Sequence, residues 1–315
     1  MKMHSMRISI LAVLLTPALA LAAEASSAAA TSHYASSIQR WRAEREAALR
    51  ADDGWLTVVG LAWLKNGDST IGSNPASNVV LPKSAPDRVG MLTVASGKVI
   101  FKPALLKPAI MVAAEAGSSG APLTHEIELH PDVDANYTRM ILGRVNFFII
   151  KREDKFGVRM KDNDSAARRE FAGKKWYPVD PSWRVEAQYV PYDKPRELTF
   201  ETIAGVKEKD QTPGYVRFTR EAKEYRMDAV VEDNELWFIM RDATSGKSTY
   251  AAARFLYTDL PKTGLKQAGP VVLDFNKAEN PPCVFTPYAT CPLPPPQNRL
   301  TLAVTAGEQM YGRPH

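Results

Sequence analysis

Two spacings of side chains divide this chain. Over residues 34–51, Ile38, Trp41, Arg45 and Leu49 recur at intervals of three and four, the period of an amphipathic helix, and Asp52-Asp53-Gly54 supplies its stop. After Gly54 the period drops to two. Short β-rich runs at 55–59, 61–64 and 99–101, set apart by Gly, Asn, Ser and Pro, predict a small β-sandwich over 54–136. A second β region starts at 137. Its runs at 144–150, 197–203, 215–219, 225–231, 236–241 and 249–257 are joined by short polar turns such as EAKE, EDNE and ATSGK. That pattern predicts an antiparallel meander curling toward a barrel over 137–315. The expected fold class is mainly β: a small N-terminal β-sandwich, then a barrel-like antiparallel region, with one N-terminal amphipathic helix. His125 and His130 lie in an alternating run and face opposite ways on a strand, so they do not make a metal-binding pair.

One stretch breaks both periods. Residues 274–298 hold both cysteines and a dense set of prolines, between strand-like apolar runs at 271–273 and 300–304. Proline removes a backbone donor and fixes φ, so this is a rigid, irregular loop, and such loops tend to carry function. Asp274, Asn276 and Asn280 stand in it among apolar neighbours. On the run 249–257, alternation places Tyr250, Ala252, Arg254 and Leu256 on one face. An arginine among alanines needs a carboxylate, and Asp242 and Asp274 are the candidates. Either a buried ion pair pins the loop to the sheet, or Arg254 and the Asn amides point into a pocket and orient a polar or anionic ligand. The basic face of the helix (Arg40, Arg42, Arg45) reads as solvated.

The N-terminus changes the compartment. Lys2 and Arg7, the apolar run 8–15, Pro17 and the small-x-small Ala20-Leu21-Ala22 have the order of an export signal, 1–22. A low-complexity tether over 23–32 follows, within an N-terminal segment of 23–53. The expected localisation is periplasmic or secreted, where the two nearby cysteines, Cys283 and Cys291, are expected to bridge. The net charge of +5 falls to +3 without the signal, too little and too dispersed for nucleic acid. No run after the signal approaches the ~20 apolar residues of a membrane span. Gly-x-Ser-x-Gly, P-loop, Cys-x-x-Cys and His-Glu-x-x-His motifs are all absent from the sequence, so no metal or cofactor is implied. A glycosidase-like carboxylate pair would have to come from Asp242, Asp274 and Glu308.

Ile71-Gly72-Ser73 with the run NVVLP at 78–82 resembles the opening strands of a forkhead-associated domain, a phosphothreonine-binding sandwich. Ser73 stands where that family places Arg, and Ser84-Ala85-Pro86-Asp87 lacks its His. The resemblance therefore implies the scaffold without the phosphate site. Far more of the chain is similar to an uncharacterised bacterial domain-of-unknown-function family, number 1684. The residues that carry this are Gly54-Trp55-Leu56, Gly60-Leu61-Ala62-Trp63-Leu64, Gly157-Val158-Arg159, Phe171-Ala172-Gly173 with Trp176, Asp242 to Gly246, and Leu273-Asp274-Phe275-Asn276. Asn280 to Cys283, Cys291 to Pro295 and Ala306-Gly307-Glu308 complete them. Glu279, Val284 and Ala253 depart from the pattern. The resemblance implies no activity. The expectation is a binding module for an unknown small molecule or envelope polymer, using a pocket beside 274–298. Its candidate contacts are Arg254, Asp274, Asn276, Asn280, Tyr250 and Trp176, with Phe285 among the aromatics. The alternative is a hydrolase using Asp274, Asn276 and Asn280 beside Arg254; with no general base evident, binding is preferred.

Overall fold

The computed structural model describes residues 16–106, 109–113 and 120–312. Two sheets face each other to form the sandwich. One runs in the order Val79–Val80, Gly67–Gly72, Gly90–Ala95, Lys98–Pro103, Ile127–Glu128. The other runs Val58–Trp63, Lys155–Asp162, Val145–Arg152, Arg139–Leu142, Met111–Ala113, Ala121–Pro122. Alternation decides which side chains meet: Val145, Phe147 and Ile149 with Val158 and Met160 face Ile71, Leu92 and Phe101. Phe101 and Phe147 pack edge to face at 5.9 Å. The sandwich therefore spans 58–162, and the expected boundary at 136 severs three of its strands. Those strands alternate like any others, and periodicity does not say which sheet a strand joins. At the forkhead-associated-like corner, Ser73 donates to the Asp87 carboxylate at 3.2 Å.

The second region is a six-stranded antiparallel half-barrel, ordered Arg254–Asp259, Glu235–Met240, Lys223–Glu232, Lys207–Arg220, Arg184–Glu201, Gly269–Asp274. Its tight turns are those expected. Glu221-Ala222 and Asp233-Asn234 take positive φ between paired residues, the geometry whose twist matches a hairpin. The sheet curls until its edge strands meet, where Thr258 Oγ1 donates to Val272 O at 2.6 Å. Val216, Phe218, Met227, Phe238, Leu256 and Leu273 fill the interior. Leu300, Leu302, Val304 and Ala306 close it as alternating buried residues. They belong to an irregular segment rather than the strand expected at 300–304. The outer face is also apolar, with Leu198, Phe200, Val230, Ile239 and Phe255, and it turns toward the sandwich and the proline loop.

The N-terminal helix runs Thr16–Arg50. It starts well before the expected residue 34, because the Ala-rich tether has high helix propensity. It stops at Gly54, where a Cβ would lie 2.3 Å from Leu49 O. Of the expected export signal, residues 1–15 lie outside the described residues. Among the described residues no helix is long and apolar enough to cross a membrane.

Candidate functional site

The long hairpin of the half-barrel shifts register between Pro191 and Arg196. This bulge lets its tip reach the sandwich, where Arg152 meets Glu208 at 3.3 Å. The proline loop is tied to the sandwich as well. Thr286 Oγ1 donates to Val58 O at 3.0 Å, and Arg152 Nε donates to Thr290 Oγ1 at 3.1 Å. Between these struts lies a cavity of about 920 Å³. The half-barrel supplies one wall with Phe200, Trp237, Phe255 and Tyr257; the sandwich and its approach supply Trp55, Asp132, Arg152 and Arg159. The proline loop adds Glu279, Asn280, Phe285 and Cys291, and the helix adds Arg45. The 274–298 loop thus forms a wall of a pocket, as expected.

Trp237 and Tyr257 are direct cross-strand partners, so their rings lie side by side on the outer face, 6.1 Å apart and within 6° of parallel. Phe255 packs on the Trp237 edge at 5.0 Å. The plate is apolar, yet Trp237 Nε1 is buried without a hydrogen-bond partner, as is Asn280 Oδ1. The Asn280 Nδ2 donates to Gln309 O at 2.8 Å, which turns its carbonyl oxygen the other way.

Beside Asn280 is a buried charge network. Arg45 reaches Glu279 with two nitrogens, at 2.9 and 2.5 Å. Lys174, whose side chain is 2% exposed, bridges Glu279 at 3.3 Å and Glu308 at 3.0 Å. Glu308 also accepts the Asn280 N–H at 2.9 Å. Burial pushes its carboxyl up to about 7 against the pull of Lys174. Arg45 is thus a wall residue, and Arg42 is buried against Trp176 at 4.8 Å. The helix's basic face is not simply solvated, because the barrel packs along it.

The sequence-derived candidates are dispersed. Arg254 points into the barrel interior at 1% exposure. It donates to Asp242 at 2.7 Å, to Val304 O at 3.0 Å and to Ala306 O at 2.6 Å. It is the buried ion pair of the first reading, but it pins the closing segment 304–308 rather than the proline loop. Tyr250 precedes the strand, which begins only at Arg254, so the shared face inferred for the two does not exist. Burial and the neighbouring Cys283 push the Tyr250 phenol up. Asp274 accepts from Tyr34 at 2.8 Å, and Asn276 donates to Tyr34 and to Asp180 O. These two residues fasten the helix to the barrel. Trp176 packs against Trp41 at 5.7 Å. Of the six, only Asn280 lines the cavity, and the hydrolase constellation of Asp274, Asn276 and Asn280 beside Arg254 is not assembled. Asp242, Asp274 and Glu308 likewise serve three different partners. Cys283 and Cys291 are free thiols 3.4 Å apart, so the expected bridge is not formed in this structure; Cys291 Sγ accepts the Cys283 N–H at 3.2 Å.

Sequence reasoning missed Trp237, Tyr257, Lys174 and Arg159 as site residues. The available signals were an aromatic on the outward phase of each of two neighbouring strands, and an arginine between Val158 and Met160 on an apolar strand.

No curated protein matches the chain. A solution NMR structure of an uncharacterized protein from Haloarcula marismortui is similar, at 30% identity over 45% of this chain and 78% of that one, with a TM-score of 0.39. Residues 169–309 match the family described as "Protein of unknown function (DUF1684)". That range holds the half-barrel, the proline loop and the blocks of the resemblance from 171 to 308, and leaves out those at 54–64 and 157–159. By this match residues 169–309 are a region of the DUF1684 family.

Proposed function

We propose that this protein is an exported binding module that takes a small, planar organic molecule, free or as part of an envelope polymer, into the cavity between its sandwich and its half-barrel. One observation carries the reading: the Trp237–Tyr257 plate and Asn280 line one cavity, and two of these residues carry buried, unpartnered polar atoms, Trp237 Nε1 and Asn280 Oδ1. Buried polar groups are normally paired. A ligand with an acceptor for the indole and a donor for the amide completes both while its ring covers the plate. The volume is that of a small-molecule site.

Export is supported by the order of charged, apolar and small residues over 1–22. In an oxidising compartment Cys283 and Cys291 close into a disulfide, which stiffens the wall that Cys291 lines. Titration with the neutral planar fluorophore N-phenyl-1-naphthylamine tests the site. Saturable binding is expected, weakened about ten-fold by Trp237→Ala. Absence of saturable binding, or binding indifferent to both Trp237→Ala and Tyr257→Ala, overturns the proposal.

A further inference from the structure

Arg159 is a buried cation without an ion-pair partner among the described residues; Asp132 and Glu208 act on it only from a distance. It sits on Lys155–Asp162 between Val158 and Met160, which point into the sandwich core. Arg159 therefore faces out of the sandwich, toward the half-barrel. The cross-strand row through it reads Leu61, Arg159, Phe148, Arg139. It is 4% exposed, and its guanidinium lies 5.0 Å over the Trp55 ring. Its Nε and Nη2 are buried with no hydrogen-bond partner, and no carboxylate among the described residues forms an ion pair with it. Four of the six acids lining the cavity are engaged elsewhere, and the other two, Glu153 and Asp210, form no ion pair with Arg159. Asp132 and Glu208 hold Arg152 at 2.9 and 3.3 Å. Glu279 holds Arg45 and Lys174, and Glu232 accepts from Tyr257 at 3.2 Å.

Charges around it act both ways: Arg152 opposes its charge, and Asp132 and Glu208 favour it from a distance. Burial, then Arg152, draw the Arg159 guanidinium down to about 10. On the same sheet face the Lys161 amine falls to about 8, first through burial and then, against Asp53, through Arg159 and Arg139. Leaving a charge buried and uncompensated costs stability, and an apolar side chain would pack at this position without that cost. An anion entering the cavity removes the penalty, since charge-assisted hydrogen bonds to a guanidinium are among the strong ones.

We propose that Arg159 anchors an anion subsite, so that the ligand class of the cavity is an aromatic acid: a carboxylate or sulfonate held by Arg159, with its ring on the Trp237–Tyr257 plate. Trp237 Nε1, a second unpartnered donor on the same cavity, serves the same ligand. The inference rests on the cavity reading above and adds the charge.

The test compares two fluorophores that differ by one sulfonate, N-phenyl-1-naphthylamine and 1-anilinonaphthalene-8-sulfonate. The wild type is expected to bind the sulfonate about ten-fold or more tightly, the range of a hydrogen bond to a charged group. Arg159→Met is expected to abolish that preference, and Arg159→Lys to keep part of it. Equal affinities in the wild type, or a preference that survives Arg159→Met, overturn the proposal. If neither probe binds, the cavity reading itself has failed and the subsite falls with it. If only the preference is missing, the cavity stands and the anion subsite does not. The wild-type comparison needs no variant, so a misfolded Arg159→Met protein leaves the proposal open to refutation.

Discussion

Two buried charges set the energetics at the scale of single residues. Arg254 satisfies Asp242 and the carbonyls of Val304 and Ala306 inside the barrel. Replacing it with alanine strands Asp242 at no exposure and frees the closing segment. Urea unfolding of Arg254→Ala should show a loss of about 3–5 kcal/mol; a loss under about 1 kcal/mol would mean the pair is not what fixes that segment. Glu308 gives a pH signature. Its folded carboxyl titrates near 7, against 4.5 for the ordinary group. The folded state therefore holds this proton more tightly, and the group's contribution to stability is full below about pH 4.5 and lost as pH rises through about 7. Wild-type stability should fall between pH 5 and 7.5 more steeply than that of Glu308→Gln; parallel slopes would show that burial does not raise this acid. The need of Arg254 for a carboxylate was legible in the sequence, because an arginine among alanines has few alternatives. Arg159 was passed over because its run reads equally well as an edge strand, and only the packing of a second unit over that face buries it.

Among the elements, the strand runs, the helix stop and the hairpin turns followed from local pattern, since alternation, Gly54 and the Asp233-Asn234 turn act over a few residues. Register and sheet membership did not. The 249–257 run loses its first half to a turn in which Thr244 bonds Asp242 and Thr249, and that cost the inferred face of Tyr250. The proline loop was legible as rigid and as a wall, but not in what it faces. Its two thiols define a test at this scale. In protein taken directly from an oxidising compartment, thiol counting under denaturing conditions should find no free cysteine, with the bridge closing a short loop worth about 2–3 kcal/mol. Two free thiols in that material would contradict the bridge.

For the whole molecule, the function proposed depends on neither unit alone. The half-barrel has apolar residues on both faces because its outer one is an internal surface, covered in part by the sandwich, the helix and the loop, and left open where Trp237 and Tyr257 stand. Such a site is nearly invisible in sequence: its residues come from Arg45 to Pro292 with no motif joining them. The candidates chosen by motif instead turned out to fasten the frame. Because the fastenings of Arg152, Thr286 and Glu279 hold the units from several sides, the cavity should be formed before any ligand arrives. The most direct measurement is a crystallographic soak of the protein with a set of small planar compounds, acidic and neutral. The account predicts that bound compounds gather between the Trp237–Tyr257 plate and Arg159, with acid groups at the guanidinium and little movement of the walls. Compounds that gather elsewhere, or a cavity closed by contact of Trp55 with Trp237 in the crystal, would contradict it.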